Sequence, residues 1–408
     1  MPQSSESNPV LALIDFETHT RGGHFGHWLK IFGTEFSKRF DSVIVITPEP
    51  DLTRNLFVSN PSGLPANIRF QALPKGRRPI LNLLGKRKKT SPVEILRNIF
   101  PGDMQGKAVS FFMWGYDLID GRTNASPQIN LPWATLGSGS WLLRNHSNDA
   151  ASRDRELLRL CESSASCRAM VTPDEFITSN KHSKLKWLRA FEDVSVEECP
   201  TAEIQELRKR ANGRPVIGGF GMLNGIRCVN EILRMMEFQQ DFFFLLASKL
   251  DRNSIDPGLR DRMESLPSDR AMLVEGFLAE TRLNSLIAES NIVFLDGLQY
   301  PVHSSIATKS MYFGKCLLTR KSNSWMFDTI QSLHSGFVYS TPDENFLNQL
   351  EAWRASGGPE RAKNLIINEM SSRVLGKAFD DLTNLLIQSA DHSNQDPASP
   401  KTASHIPR

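Results

Sequence analysis

Short apolar runs separated by helix-length segments recur along most of this 408-residue chain, and that alternation constrains its fold more than any other feature. VLALIDF (10–16), SVIVITP (42–48), AVSFFMWGY (108–116), LPWATLG (131–137) and CRAMVTP (167–173) fall in the first half. RPVIGGFG (214–221), DFFFLLASKL (241–250), AMLVEGF (271–277), NIVFLDG (291–297) and KCLLT (315–319) fall in the second. Strands covered on both faces read as unbroken apolar runs. Between them, 28–40 places Leu29, Phe32, Phe36 and Phe40 on one helical face, and RDRELLRLCES, IRCVNEILRMMEF and LAETRLNSLIAES have helix length and spacing. Strand–helix alternation of this kind predicts parallel sheets with helices on both faces. The polar stretch EDVSVEECPTAEI (192–204) reads as a linker, after which the pattern restarts. The expectation is therefore α/β, with two Rossmann-like doubly wound parallel-sheet domains over 1–195 and 196–360. A long amphipathic helix closes the chain at 360–386, within a final unit of 361–388, and 389–408 is polar enough to be disordered. The Pro-rich stretch from 48 to 79 reads as irregular.

Composition narrows the function classes. With 40% hydrophobic and 23% charged residues and a formal charge of +3, the chain is an ordinary globular one with no global pull toward nucleic acid. Locally it is basic: between Asp51 and Glu94 no acidic residue occurs, while Arg54, Arg69, Lys75, Arg77, Arg78, Lys86, Arg87, Lys88 and Lys89 do. KGRRPILNLLGKRKK (75–89) brackets leucines with cations, a composition suited to peripheral contact with an anionic membrane. Five cysteines with no CxxC pair suggest neither a disulfide framework nor a zinc site, and a reducing, cytoplasmic setting. No signal-peptide core and no apolar run long enough to span a bilayer is present.

Three segments carry candidate chemistry. The loop Arg21-Gly22-Gly23-His24-Phe25-Gly26-His27 joins the first strand to the first helix, where glycines admit a ligand to the backbone and the helix start favours an anion. A second loop, Gly218 to Gly225, has the same setting. It holds Gly221 and Asn224, and Arg227 follows. Its glycine spacing matches dinucleotide fingerprints only weakly, and Asp241 opens a strand where a ribose-binding acid would close one. The third is the helix start after NIVFLDG, with His303, Ser304 and Ser305 at the tip and Lys309 one turn inside. Ligands of open α/β sheets sit where strand C-ends meet helix N-ends, and Lys249 ends a strand at that same edge. Asp15, Asp117 and Asp120 lie at or near strand ends and are candidate bases, with nothing to select among them. No His or carboxylate cluster has the spacing of a metal site.

From Val10 to about Leu386 the chain resembles a GT-B glycosyltransferase, nearest to the family-four retaining enzymes. The Gly22-Gly23 loop, GFGMLNGIRCVNEIL, EGFLAETRLNSLIAESNIVFLDG and the KSMYFGKCL segment match its motifs in order. Met222 and Asn224 stand where the family has its phosphate-clamping Arg and Lys, and Pro301 and Lys309 where it has two glutamates. The resemblance implies acceptor binding by the first domain around Gly22, Gly23 and His24. It implies nucleotide-sugar binding by the second around Gly221, Asn224, Arg227, Lys249, His303, Ser304, Ser305 and Lys309. The final helix would cross back to the first domain. The implied activity is metal-independent, cofactor-free sugar transfer from a nucleotide-sugar co-substrate to a glycan or lipid-linked acceptor, in surface polysaccharide biosynthesis. The alternatives are a GT-B binding protein without activity and, further off, an NAD(P)-dependent oxidoreductase. No catalytic residue is assigned.

Overall fold

The computed structural model describes residues 9–16, 25–58, 63–73, 100, 108–119, 129, 131–137, 149–174, 182–188, 202–221, 229–248, 257–276, 278–296, 303–370 and 375–387. The first part of the chain runs β1 (Val10–Asp15), α1 (Phe25–Ser37), β2 (Ser42–Thr47), α2 (Pro50–Val58), β3 (Ile68–Ala72), β4 (Ala108–Met113), β5 (Trp133–Leu136), α3 (Asp149–Ser163), β6 (Cys167–Thr172) and β7 (Leu185–Trp187). Its strands form one sheet in the order β3-β2-β1-β4-β5-β6-β7, parallel throughout. The second part starts with α4 (Ala202–Ala211), β8 (Val216–Phe220), α5 (Val229–Phe238), β9 (Phe243–Ser248), α6 (Pro257–Glu264) and β10 (Ala271–Glu275). It continues with α7 (Glu280–Glu289), β11 (Ile292–Phe294), α8 (Ser305–Tyr312), β12 (Cys316–Arg320), α9 (Trp325–Leu333), β13 (Gly336–Tyr339), α10 (Phe346–Ala355) and α11 (Gly358–Leu365). These strands make a second parallel sheet, β10-β9-β8-β11-β12-β13. In both sheets the strand order reverses beside the opening strand, at β1/β4 and at β8/β11, and such switch points are where α/β sheets hold ligands.

The apolar runs read from the sequence are the central strands. All of β4 and β8 is buried, and Leu29, Phe32, Phe36 and Phe40 lie in one cluster with Leu11, Leu13 and Phe111. Sequence reading missed α2, β3, β7, α4, α6, α9, β13 and α10, and the last three residues of the stretch read as a linker, 202–204, are the first turn of α4. The stretch read as irregular holds a helix that begins at Pro50, where a missing N–H costs nothing, and β3, an edge strand with mostly open side chains. Edge strands lack the continuous apolar signature because only part of them is covered.

The expected long closing helix is two helices. Ala362 of α11 and Ile366 belong to the core of the second sheet. A π-helical turn (Ile366–Met370) follows, and α12 (Leu375–Ile387) then puts Leu375, Phe379, Leu382 and Leu386 into the core of the first. One straight helix cannot present its apolar stripe to two separate cores, and the regular α-helix gives way to the π-helical turn before residues 371–374, which lie outside the described residues. Phe379 packs edge-on to Phe32 at 5.0 Å and Phe36 at 5.2 Å. Arg39 fastens α12 to α1, donating from Nε to Asp380 Oδ1 and from Nη2 to the Gly376 carbonyl, both at 2.7 Å. The tail 389–408 and the basic segment 75–89 lie outside the described residues.

Candidate functional site

The functional geometry lies at the strand C-terminal edges. In the second sheet, β8 is followed directly by Gly221, whose φ of 104° is one that side chains rarely adopt and whose Cβ direction is open. Gly218 and Gly219 have a different task. A Cβ on Gly219 would meet Ile232 Cδ1 at 2.5 Å, so this glycine lets α5 close onto the sheet. Beyond β11 comes the predicted helix start. Ser304 is the N-cap of α8, with extended backbone and no side-chain capping bond, and its carbonyl accepts from the Ala307 and Thr308 amides. The amides ahead of these are the ones a helix start leaves without an intrahelical partner, and they carry the positive end of its dipole.

His303 is held by both parts of the chain. Its Nε2 lies 3.2 Å from Thr308 Oγ1. Its ring stands 4.5 Å, edge-on, from Trp325 of α9, and 6.3 Å from Trp28 of α1. Trp28 in turn lies 5.8 Å from Trp114, at the C-end of β4. Trp114 has φ 50° and ψ 63°, a left-handed conformation that is costly for a bulky residue and that turns the chain sharply into a 3-10 segment. The helix tip of the second sheet thus meets the C-terminal edge of the first.

Lys309 sits where the sequence put it, one turn into α8, but it is not an open cation. Its side chain is 9% exposed, and Nζ donates to Glu280 Oε1 at 2.8 Å; Glu280, the first residue of α7, is 52% exposed. Its charge is balanced by that carboxylate, so among the described residues the field at the α8 tip comes mainly from backbone amides. Sequence reading missed Glu280 because 29 residues separate it from Lys309 and only the packing of α7 on α8 joins them.

At the outer strands, Glu231 in the first turn of α5 gathers Tyr339, Arg320 and Arg234. The Tyr339 hydroxyl donates to Oε1 at 3.1 Å, and the two guanidinium groups approach Oε2 to 3.9 and 3.3 Å. Burial, and then the adjacent Glu231 carboxylate, push the Tyr339 hydroxyl above its usual range.

In the first sheet, Tyr116 follows Trp114 and donates to Asp154 Oδ1 of α3 at 2.5 Å, while the Arg153 guanidinium covers its ring at 4.8 Å. Asp15, at the end of β1, is fully buried. Of the residues expected to bind ligands, Gly221, His303, Ser304, Ser305 and Lys309 are thus placed at one edge. Gly22, Gly23, His24, Asn224, Arg227, Lys249 and Asp120 lie outside the described residues, as does the Asp117 side chain. Among the described residues no group of three or more His, Cys, Asp or Glu side chains is arranged to hold a metal ion.

No family model matches the sequence, and no curated protein matches it. Solved structures do match. Sucrose-phosphate synthase from Thermosynechococcus elongatus superposes with a TM-score of 0.62 at 15% identity, over 93% of this chain and 99% of its own. Anabaena HepE in complex with UDP-glucose gives 0.62 at 11% identity, over 91% and 98%. A glycosyltransferase from Rickettsia africae gives 0.57 at 9%, over 93% and 99%. At these identities the likeness shows the fold, and the fold is GT-B: two Rossmann-like parallel-sheet units over nearly the whole chain.

Proposed function

From the GT-B fold as premise, we propose that this chain is a glycosyltransferase. It moves a sugar from a nucleotide-sugar donor to a glycan or lipid-linked acceptor, in surface polysaccharide biosynthesis, without a metal ion. The observation that carries the reading is the α8 tip: an anion-favouring helix start at the switch-point edge of the second sheet, touching the first-sheet layer through His303 and Trp28. A diphosphate placed there would be stabilised by backbone amides, which suits a site whose lysine is already paired.

On this reading residues 1–195 form the acceptor domain, with Gly22, Gly23 and His24 at its glycine loop. Residues 196–360 form the donor domain, with Gly221, Asn224, Arg227, Lys249, His303, Ser304, Ser305 and Lys309 around the nucleotide diphosphate. The unit 361–388 ties the two together. Among the described residues no helix is long and apolar enough to cross a membrane, and the basic segment 75–89 gives the protein peripheral contact with an anionic membrane surface. Anabaena HepE is solved with UDP-glucose, so UDP-sugars head the trial set.

The test is a melting-temperature panel of UDP-, GDP-, ADP- and CMP-sugars beside NAD(P). A rise with one nucleotide-sugar class is expected. A rise only with NAD(P) would replace the proposal by an oxidoreductase, and no rise with any compound would leave a binding protein without donor chemistry.

A further inference from the structure

Glu231, in the first turn of α5, is held on both oxygens. The Tyr339 ring is wedged between Phe294 of β11 at 6.2 Å and Phe346 of α10 at 5.5 Å, so the hydroxyl that donates to Oε1 has a fixed direction. Arg234 donates to Oε2 at 3.3 Å, and the Glu231 side chain is only 13% exposed. Arg320, the last residue of β12 and the neighbour of Tyr339 in the sheet, comes third. Its Nη1 stops 3.9 Å from Oε2, beyond hydrogen-bond reach, and its side chain is 40% exposed. Among the described residues the Arg320 side chain makes no hydrogen bond. The carboxylate thus steers the guanidinium while the N–H donors of its fork stay open. Since Glu231 already has a donor on each oxygen, Arg320 adds little to it.

Place gives this openness a meaning. Thr319 Oγ1 donates to the Leu295 carbonyl at 2.7 Å, drawing the ends of β12 and β11 together where Arg320 leaves the sheet. Just beyond, Trp325 opens α9 and packs 4.5 Å from His303 at the α8 tip. Arg320 therefore stands at the strand C-terminal edge, one strand from β11 and against the helix that follows β8, beside the switch point of this sheet. A helix start offers about half a positive charge, less than a diphosphate carries, and Lys309 is spent on Glu280. At this edge Arg234, Arg320 and Lys321 meet Glu231 and Asp296, three cations to two carboxylates. A planar fork steered on one side and open on the other is how arginine takes a pair of phosphate or carboxylate oxygens.

We infer that Arg320 is the side-chain cation of an oxyanion site at this edge, donating to the phosphate or carboxylate oxygens of a ligand. That the ligand is a nucleotide-sugar rests on the transferase reading above, while the oxyanion site does not. Such a donor has two sources of oxyanion, its diphosphate and a carboxylate on its sugar, and the choice of probes separates them.

Calorimetric titrations at low salt compare the wild type, Arg320→Ala and Arg320→Lys with inorganic pyrophosphate, UDP, UDP-glucose and UDP-glucuronate. Arg320→Ala is expected to weaken binding about ten-fold, the worth of a charge-assisted hydrogen bond. Arg320→Lys keeps the charge without the fork and should fall between the other two. Equal loss with pyrophosphate, UDP and both UDP-sugars assigns the arginine to the diphosphate, and loss confined to UDP-glucuronate assigns it to the sugar. Both variants should melt with the wild type, because a half-open ion pair at 3.9 Å holds little. A wild type that binds none of these probes, or an Arg320→Ala protein that binds them all as tightly, would overturn the inference. The two readings fail separately. Pyrophosphate binding that needs Arg320, without a melting shift from any nucleotide-sugar, sinks the transferase and leaves the oxyanion site. Nucleotide-sugar binding indifferent to Arg320 does the reverse.

Discussion

Lys309 and Glu280 show how one residue's role depends on its neighbours. The lysine is buried and the glutamate half open, so the pair is neither a surface ion pair of little worth nor a sealed one. Lys309→Glu would set two carboxylates against each other and is expected to cost about 2 kcal/mol, an intermediate figure that reflects the open side of Glu280. Adding Glu280→Lys should recover most of that loss, and urea melts of the four proteins in the cycle measure it. Tyr339 carries a pH dependence. Its hydroxyl is raised in the folded chain by burial and by Glu231, so the folded state keeps the proton longer than the unfolded one. Its contribution is therefore complete below the ordinary tyrosine value near 10 and is lost as pH climbs through the raised folded value. Tyr339→Phe should cost about 1 kcal/mol at neutral pH and flatten the alkaline fall in stability; an alkaline limb as steep as the wild type's would contradict this assignment. The residue types at these positions were plain in the sequence, but their pairing was not, since Tyr339 meets Glu231 across 108 positions.

At the scale of elements, α12 is the test of how the chain is tied. It lays Phe379 between Phe32 and Phe36 of α1 and is fixed at its first turn by Arg39. Phe379→Ala should cost about 3 to 4 kcal/mol through lost burial and the cavity left behind. Arg39→Ala should cost about 1 to 2 kcal/mol, because Asp380 is exposed while the Gly376 carbonyl loses a charged donor. Hydrogen exchange confined to 375–387 would show the helix loosening ahead of the rest. An Arg39→Ala protein with unchanged protection in α12 would show that apolar packing alone fastens it. The apolar stripes of α1 and α12 were legible as helical spacing. The π-helical turn after α11 was not, because it answers to the position of two cores and not to any breaker residue.

For the whole molecule, His303 is the joint. It carries the α8 tip, rests against Trp325 on its own side and meets Trp28 on the other. His303→Ala should leave both cores folded, with melting lowered by no more than about 1 kcal/mol equivalent, while loosening the junction. A larger radius of gyration in solution scattering and weaker stabilisation by the bound nucleotide-sugar are expected together. Unchanged scattering and unchanged ligand shift would assign the histidine to local packing. The sequence alone determined the two parallel sheets and the helix tips that follow their strands, because a strand buried on both faces and a helix buried on one must write their periods into neighbouring residues. It also marked the glycine turn at Gly221 and the helix start at Ser304. Tertiary structure decided what those tips face: the pairing of Lys309 with Glu280, the aromatic joint at His303, the strained Trp114 and the open guanidinium of Arg320. Each depends on the distance between residues far apart along the chain, and local periodicity carries no record of it.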